Sequence, residues 1–289
     1  MIPKRVKRLI KSIIPDLFLP DPRTSPETKI ALRQLYHYYS DRACRGIPLS
    51  LPETGARIFS QFEEDGILLA IFATIGMRSP GTFIDIGSAD GINSNCANLA
   101  LNFGWDGLFI DGEAKNIKKG REFYNNHPDT CEYAPRFVEA RVTRENINEI
   151  IQNAGFIGGI DLLSIDIDGN DYWIWDAVTS VEPRVVIIES HVEFGLESIV
   201  VPYDPAYHFP GKHPQYTGAS PVAMKKLAEK KGYRLVGSNQ YGFNMIFIHR
   251  GVGEDLIPEV PVEHVLAHPR NPERMKLFDE VREWEYFRV

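Results

Sequence analysis

Six polar residues stand at the ends of two apolar runs. Asp166, Asp168, Asn170 and Asp171 close or follow IDLLSIDID (160–168), and Glu189 and His191 lie at the end of RVVIIES (184–190). Both runs are nearly all apolar, as strands covered on both faces must be. In an open α/β sheet, ligands bind beyond the carboxyl ends of such strands. Period-two geometry turns Asp166 and Asp168 to one side of an extended strand, and does the same for Glu189 and His191. Three chemistries suit this set. Asp168, Glu189 and His191 can hold Mg²⁺ or Mn²⁺, which lowers the pKa of a hydroxyl nucleophile. Alternatively, His191 takes the proton itself, oriented by a neighbouring acid. In the third reading the acids cap the next helix, and Asp168–Gly–Asn–Asp is a turn.

A second constellation lies upstream. Asp85–Ile86–Gly87–Ser88–Ala89–Asp90–Gly91 ends the strand GTFIDIG (81–87). Gly87 and Gly91 let the backbone turn tightly and approach a ligand. Asp85 and Asp90 place carboxylates beside that turn. The spacing is not GxGxxG, and acids here would repel a pyrophosphate. A ligand carrying ammonium and sulfonium charges suits them better. About 20 residues on, Asp111 ends the strand GLFID (107–111), with Gly112 and Glu113 after it. An acid at that interval accepts hydrogen bonds from ribose hydroxyls.

The elements that must position these groups alternate. Helical patterns cover Asn93 to Phe103 and Ala114 to Asn126. A third strand falls within 133–142, and Thr143 caps a further helix. Strand, helix, strand at this rhythm implies right-handed crossovers and a parallel sheet. A helix follows Ser220–Pro221 to about Lys231. YRLVGS (233–238) and FNMIFIH (243–249) then stand too close for a helical crossover, so they form an antiparallel hairpin. The expected fold is α/β, a Rossmann-like sheet, mostly parallel and closed by an antiparallel hairpin, an arrangement that resembles that of class I methyltransferases, with helical additions at both ends.

Composition sets outer bounds. With 289 residues, 43% hydrophobic and 25% charged, the chain is neither disordered nor fibrous. A net charge of −7 argues against nucleic acid as a partner. Cys44, Cys96 and Cys131 form no disulfide framework and no zinc spacing, which suits a reducing compartment. No apolar run approaches the roughly 20 residues that span a bilayer.

The ordered set SQFEEDG (60–66), FIDIGSADG, GLFIDGEAKN and LLSIDIDGNDYWIW resembles the FkbM-type branch of class I S-adenosylmethionine-dependent methyltransferases, over residues 58–250. The resemblance implies a domain over 58–252. Gly87, Ser88, Ala89 and Gly91 then match the cofactor loop. Asp111 matches the ribose-binding acid, although Asp-Gly-Glu stands where many relatives have Glu-Pro and leaves Glu113 as its competitor. Ser60, Gln61, Glu64 and Asp65 match a stretch lining the cofactor pocket, and Ala140 and Arg141 fall where a loop touches the adenine. In the reading in which the other acids only cap the next helix, Asp166 meets the cofactor's amine. The implied activity is O-methyl transfer from S-adenosylmethionine to a hydroxyl of a sugar or glycan. A nucleotide-dependent oxidoreductase and a noncatalytic cofactor-binding partner are the competing classes.

Segments outside the motifs carry further expectations. Lys4, Arg5, Lys7, Arg8 and Lys11 interleave with Val6, Leu9, Ile10, Ile13 and Ile14 on one helical stripe. Residues 1–14 would lie on an anionic membrane surface at its cytoplasmic face, or dock on the domain or a second subunit. The helix over 27–45 would pack through Ile30, Leu32, Leu35 and Tyr38. Tyr172, Trp173 and Trp175 read as helix core, or as a stacking surface for a pyranose. The long connection 192–219 reads as a substrate-binding insertion, with His208 and His213 as further site candidates. The extension 253–289 ends in a helical pattern over Pro272 to Phe287, which would cover the site, join a dimer or pack on the body.

Overall fold

The computed structural model describes residues 21–289, so the basic stripe at 1–14 lies outside the described residues. Strands β1 (Thr82–Ile86), β2 (Asp106–Asp111), β3 (Arg136–Glu139), β4 (Gly158–Ile165) and β5 (Val181–Glu189) are parallel neighbours in the order β3-β2-β1-β4-β5. A short β6 (Ile199–Val200) stands apart from this sheet. β7 (Tyr233–Ser238) and β8 (Asn244–His249) form the antiparallel hairpin, and β8 inserts between β5 and β7. This is the sheet the sequence pattern implies.

Apolar side chains alternate between its two faces. Ile84 and Ile86 pack on one side against helices α5 (Ile147–Asn153), α6 (Asp171–Ala177) and α7 (Pro221–Lys230). Phe83, Phe109 and Ile187 pack on the other against α2 (Glu64–Ile75), α3 (Ala97–Phe103) and α4 (Ala114–Asn126). A sheet covered on both faces exposes ligand only at its strand ends. Tyr172, Trp173 and Trp175 belong to the core, and the Trp173 indole donates to the Val201 carbonyl at 2.9 Å.

Several boundaries differ from expectation. α3 starts at Ala97 rather than Asn93, because Ser94 is engaged elsewhere: it donates to Asp85 and accepts from the Cys96 amide. α5 begins at Ile147, since the residues from Thr143 close a turn in which Asn146 accepts from the Thr143 amide at 2.7 Å. On α1 (Pro26–Cys44) Leu32 is 4% exposed, whereas Ile30 is 59% and Tyr38 54% exposed. Only one stripe of that helix faces α2, and Leu35 is exposed too.

The C-terminal extension is not one helix. It holds a short α8 (Asn271–Met275), a 3₁₀ turn over Lys276–Glu280 and β9 (Phe287–Arg288). β9 pairs antiparallel with β6, inside the 192–219 connection. Phe278 and Val281 bury against Phe194 and Ile199. Tertiary pairing here overrides helical periodicity, and the extension packs on the body. Among the described residues, no helix is long and apolar enough to cross a membrane.

Candidate active site

The chain turns sharply after β1 because Gly87 adopts φ +83°. A Cβ there would lie 1.7 Å from the Asp166 carbonyl oxygen, so only glycine lets the two strand ends approach. A cleft of about 420 Å³ opens beside this crossing. Gly87, Ala89, Asp111, Gly112, Glu113, Ala140, Arg141 and Asp166 line it, as the sequence places them. Asp111 is braced: it accepts from the amides of Ala89 at 3.0 Å and Glu113 at 2.8 Å, and from Asn116 Nδ2 at 3.1 Å. A carboxylate retains acceptor capacity beyond three donors, so it can still receive ribose hydroxyls.

Other residues of the loop act from behind. Asp85 is buried and bound by Ser94, and burial pushes its carboxyl up to about 6. Ser88 donates to the Ile110 carbonyl at 3.3 Å, Asp90 pairs with Lys119, and Gly91 accepts from Tyr124 at 2.7 Å. These four hold the turn and do not line the cleft. Ser60 and Asp65 are likewise structural: one Asp65 oxygen accepts the amides of Ile58, Phe59 and Ser60 and the Ser60 hydroxyl. Glu64 binds Asn239 and Asn244. Gln61 reaches a different cleft.

That second cleft, of about 380 Å³, holds Gln61, Glu189, His191, Glu193, Thr217 and Arg274, and it shares Asp166, Asp168 and Phe209 with the first. Carboxylate oxygens of Asp166, Asp168 and Glu189 lie within 4.8 Å of one another. Strand alternation is not what brings them together. β4 ends at Ile165, and Asp168 sits at φ +59° in a turn. Asp171 fixes this turn by accepting the Ile167 and Gly169 amides at 2.8 and 2.9 Å. Asp168 carries backbone strain at such an angle, a feature concentrated at functional sites.

None of the three clustered carboxylates accepts a hydrogen bond among the described residues, and Glu189 Oε2 is buried without a partner. Asp166 opens to the clefts on one side and is enclosed on the others. Burial and the neighbouring Asp171, Asp168 and Asp85 push its carboxyl up to about 8. Burial, with Asp166 next, raises Glu189 well above the usual carboxylate range. Three converging carboxylate oxygens, with Asp166 and Glu189 both resisting ionisation, suit a hard divalent cation. His191 stands outside this set. Its Nε2 lies 3.9 Å from Glu189 Oε2 and has no hydrogen-bond partner, and burial lowers its pKa.

The two further histidines go elsewhere. His208 lines the first cleft, where its Nε2 accepts from Arg141, and Arg141 Nη2 donates to the Tyr207 carbonyl at 2.6 Å. The insertion is thereby fastened across the first cleft. His213 lies 3.3 Å from Glu280 and packs beside Trp284, outside both clefts. Sequence reading missed Glu193 and Arg274, which come from a loop and from the C-terminal extension. Neither sits at a strand end, so no spacing marks them.

No protein-family model matches the chain, and no curated protein matches it. Among solved structures it is similar to monomeric WbdD at 22% identity and a TM-score of 0.38, over 59% of this chain and 36% of that one. The match thus spans about a third of WbdD, which is described as a bifunctional kinase-methyltransferase. It is also similar to magnesium protoporphyrin IX methyltransferase from Synechocystis, solved with bound cofactor, at 14% identity and a TM-score of 0.40 over 64% of this chain and 77% of that one. A putative caffeoyl-CoA O-methyltransferase from Staphylococcus aureus aligns at 14% identity and a TM-score of 0.43, over 85% and 100% of the two chains.

Proposed function

We propose that the chain is an S-adenosylmethionine-dependent O-methyltransferase acting on a hydroxyl of a sugar or glycan. One observation carries the reading: two clefts meet at Asp166 and Asp168, one lined by the glycine turn and Asp111, the other by Glu189 and His191. A donor lying between Gly87 and Arg141 brings its sulfonium end to that junction. The acceptor enters from the second cleft. Its hydroxyl oxygen attacks the methyl carbon in line, the carbon–sulfur bond breaks, and the sulfur keeps the electron pair.

A sugar hydroxyl is a poor acid, so its proton must be taken during attack. Asp166, Asp168 and Glu189 would hold a divalent cation, which lowers the pKa of a hydroxyl bound beside it. His191, neutral through burial, offers a free Nε2 to receive the proton. The sugar acceptor rests on the family resemblance of the motifs.

Calorimetric titration with S-adenosylhomocysteine and, separately, with NAD tests the donor. Binding of S-adenosylhomocysteine, weakened roughly 10- to 100-fold by Asp111→Ala, is the expected result. Affinity for NAD alone would transfer the chain to the oxidoreductases.

A further inference from the structure

The second cleft continues past its own wall. Phe62, Phe243 and Arg274 line it and also line a third cleft of about 480 Å³, so the two adjoin. Tyr241, Arg270 and Leu277 belong to the third cleft alone. Three stretches of chain meet there. Phe62 stands just before α2, Tyr241 and Phe243 lie in the turn between β7 and β8, and the other three come from the C-terminal extension.

The aromatic rings form a platform. Tyr241 and Phe243 have centroids 5.7 Å apart and planes 19° apart, and Phe62 meets Tyr241 at 5.0 Å and Phe243 at 6.0 Å. All three are half-buried, so each keeps some surface open. The turn that carries them is pinned. Asn239 Oδ1 accepts from the Phe243 amide at 3.0 Å, Asn239 Nδ2 donates to Glu64 at 2.9 Å, and Asn271 Nδ2 donates to the Tyr241 carbonyl at 3.3 Å. The Arg274 guanidinium lies over the Phe243 ring at 4.5 Å and is anchored by Nε and Nη2 on the buried Glu193 carboxylate. Donors stand beside the rings. Among the described residues, the Tyr241 hydroxyl, the Arg270 guanidinium and Arg274 Nη1 make no hydrogen bond.

We propose that this third cleft is a subsite for a second sugar ring of the acceptor, which makes the substrate an oligosaccharide or polymer rather than a single sugar. The inference rests on the sugar-acceptor reading and deepens it. A pyranose has apolar C–H faces and a rim of hydroxyls, so it fits an aromatic floor edged by hydrogen-bond donors. The ring that receives the methyl group occupies the second cleft, beside Asp166, Asp168 and Glu189. Its neighbour along the chain then lies over Phe62, Tyr241 and Phe243. Because the platform is held before ligand arrives, little ordering opposes binding. The C-terminal extension, which lies outside the motif-bearing stretch, supplies the donors at the rim.

The experiment is binding of the full chain, loaded with S-adenosylhomocysteine, to an array of defined glycans from single sugars to hexasaccharides, with affinities of the retained glycans then titrated. Each retained glycan should bind at least about tenfold more tightly than its own terminal sugar. Tyr241→Ala should bring that preference to about twofold or less, and Arg270→Gln should reduce it about threefold, with S-adenosylhomocysteine affinity unchanged in both. Arg270 is exposed, so its variant decides if Tyr241→Ala does not fold. A single sugar that binds as tightly as the glycan containing it, or a length preference unchanged in the folded variants, overturns the inference and leaves the sugar-acceptor reading standing. A chain that binds S-adenosylhomocysteine but retains no glycan overturns the sugar-acceptor reading and this inference with it.

Discussion

Two groups of acids lie close together in this molecule and are treated in opposite ways. Asp65 in the first turn of α2, Asp111 at the end of β2 and Asp171 at the start of α6 each accept two or more backbone amides of neighbouring loops. Asp166, Asp168 and Glu189 crowd together at the meeting of the clefts and accept none among the described residues. Each acid of the first group holds the backbone in place through at least one carboxylate oxygen. The second accepts no hydrogen bond among the described residues, so an arriving cation would meet unoccupied oxygens and favour ionisation of Asp166 and Glu189. Acids bonded to the backbone build the fold, and the unbonded cluster is the candidate site.

Neutralising one acid of each kind should give opposite results. Asp65→Asn removes the charge from an oxygen with four donors and replaces one acceptor with a donor, so it should cost about 2–4 kcal/mol of stability. Asp166→Asn should leave the unfolding temperature of the ligand-free protein unchanged or higher, while methyl transfer falls roughly 10²- to 10⁴-fold. Thermal unfolding and turnover of the two variants measure this contrast. Equal destabilisation by both would erase the distinction.

A smaller effect follows from pH. Asp166 is raised to about 8 and Asp85 to about 6 in the folded chain, chiefly by burial. The sign for a raised folded pKa is fixed: the stabilising contribution is complete below the ordinary carboxylate pKa of about 4 and is lost as pH climbs through the folded value. The unfolding temperature of the ligand-free protein should therefore decline between about pH 5 and 8. The decline should be shallower in Asp166→Asn. A flat wild-type profile over that window would show that the cluster is not strained by its own charge.

Much of this was legible in the sequence, and the residues show why. Apolar runs bounded by glycine and acids set the strands, and a short gap set the closing hairpin, because both depend on local pattern. Asp111, Ala140, Arg141 and Asp166 line one cleft together, because strand ends dictate their place. Asp85 and Asp90 resemble ligands in composition, yet Ser94 and Lys119 claim them, and such partners are set by packing. Asp166 joins the acid cluster where His191 was expected, since Asp168 departs from the strand at positive φ. Glu193 and Arg274 come together from positions 81 residues apart, a contact that no periodicity encodes.

Asp166, Asp168 and Glu189 are the proposed cation seat, and their carboxylates accept no hydrogen bond among the described residues. Calorimetric titration of Mn²⁺ into the S-adenosylhomocysteine complex tests it most directly, with Asp168→Asn and Glu189→Gln measured alongside. The wild type should show a single saturable site, weakened at least about tenfold in each variant. No Mn²⁺ binding, or equal affinity in all three proteins, would contradict it.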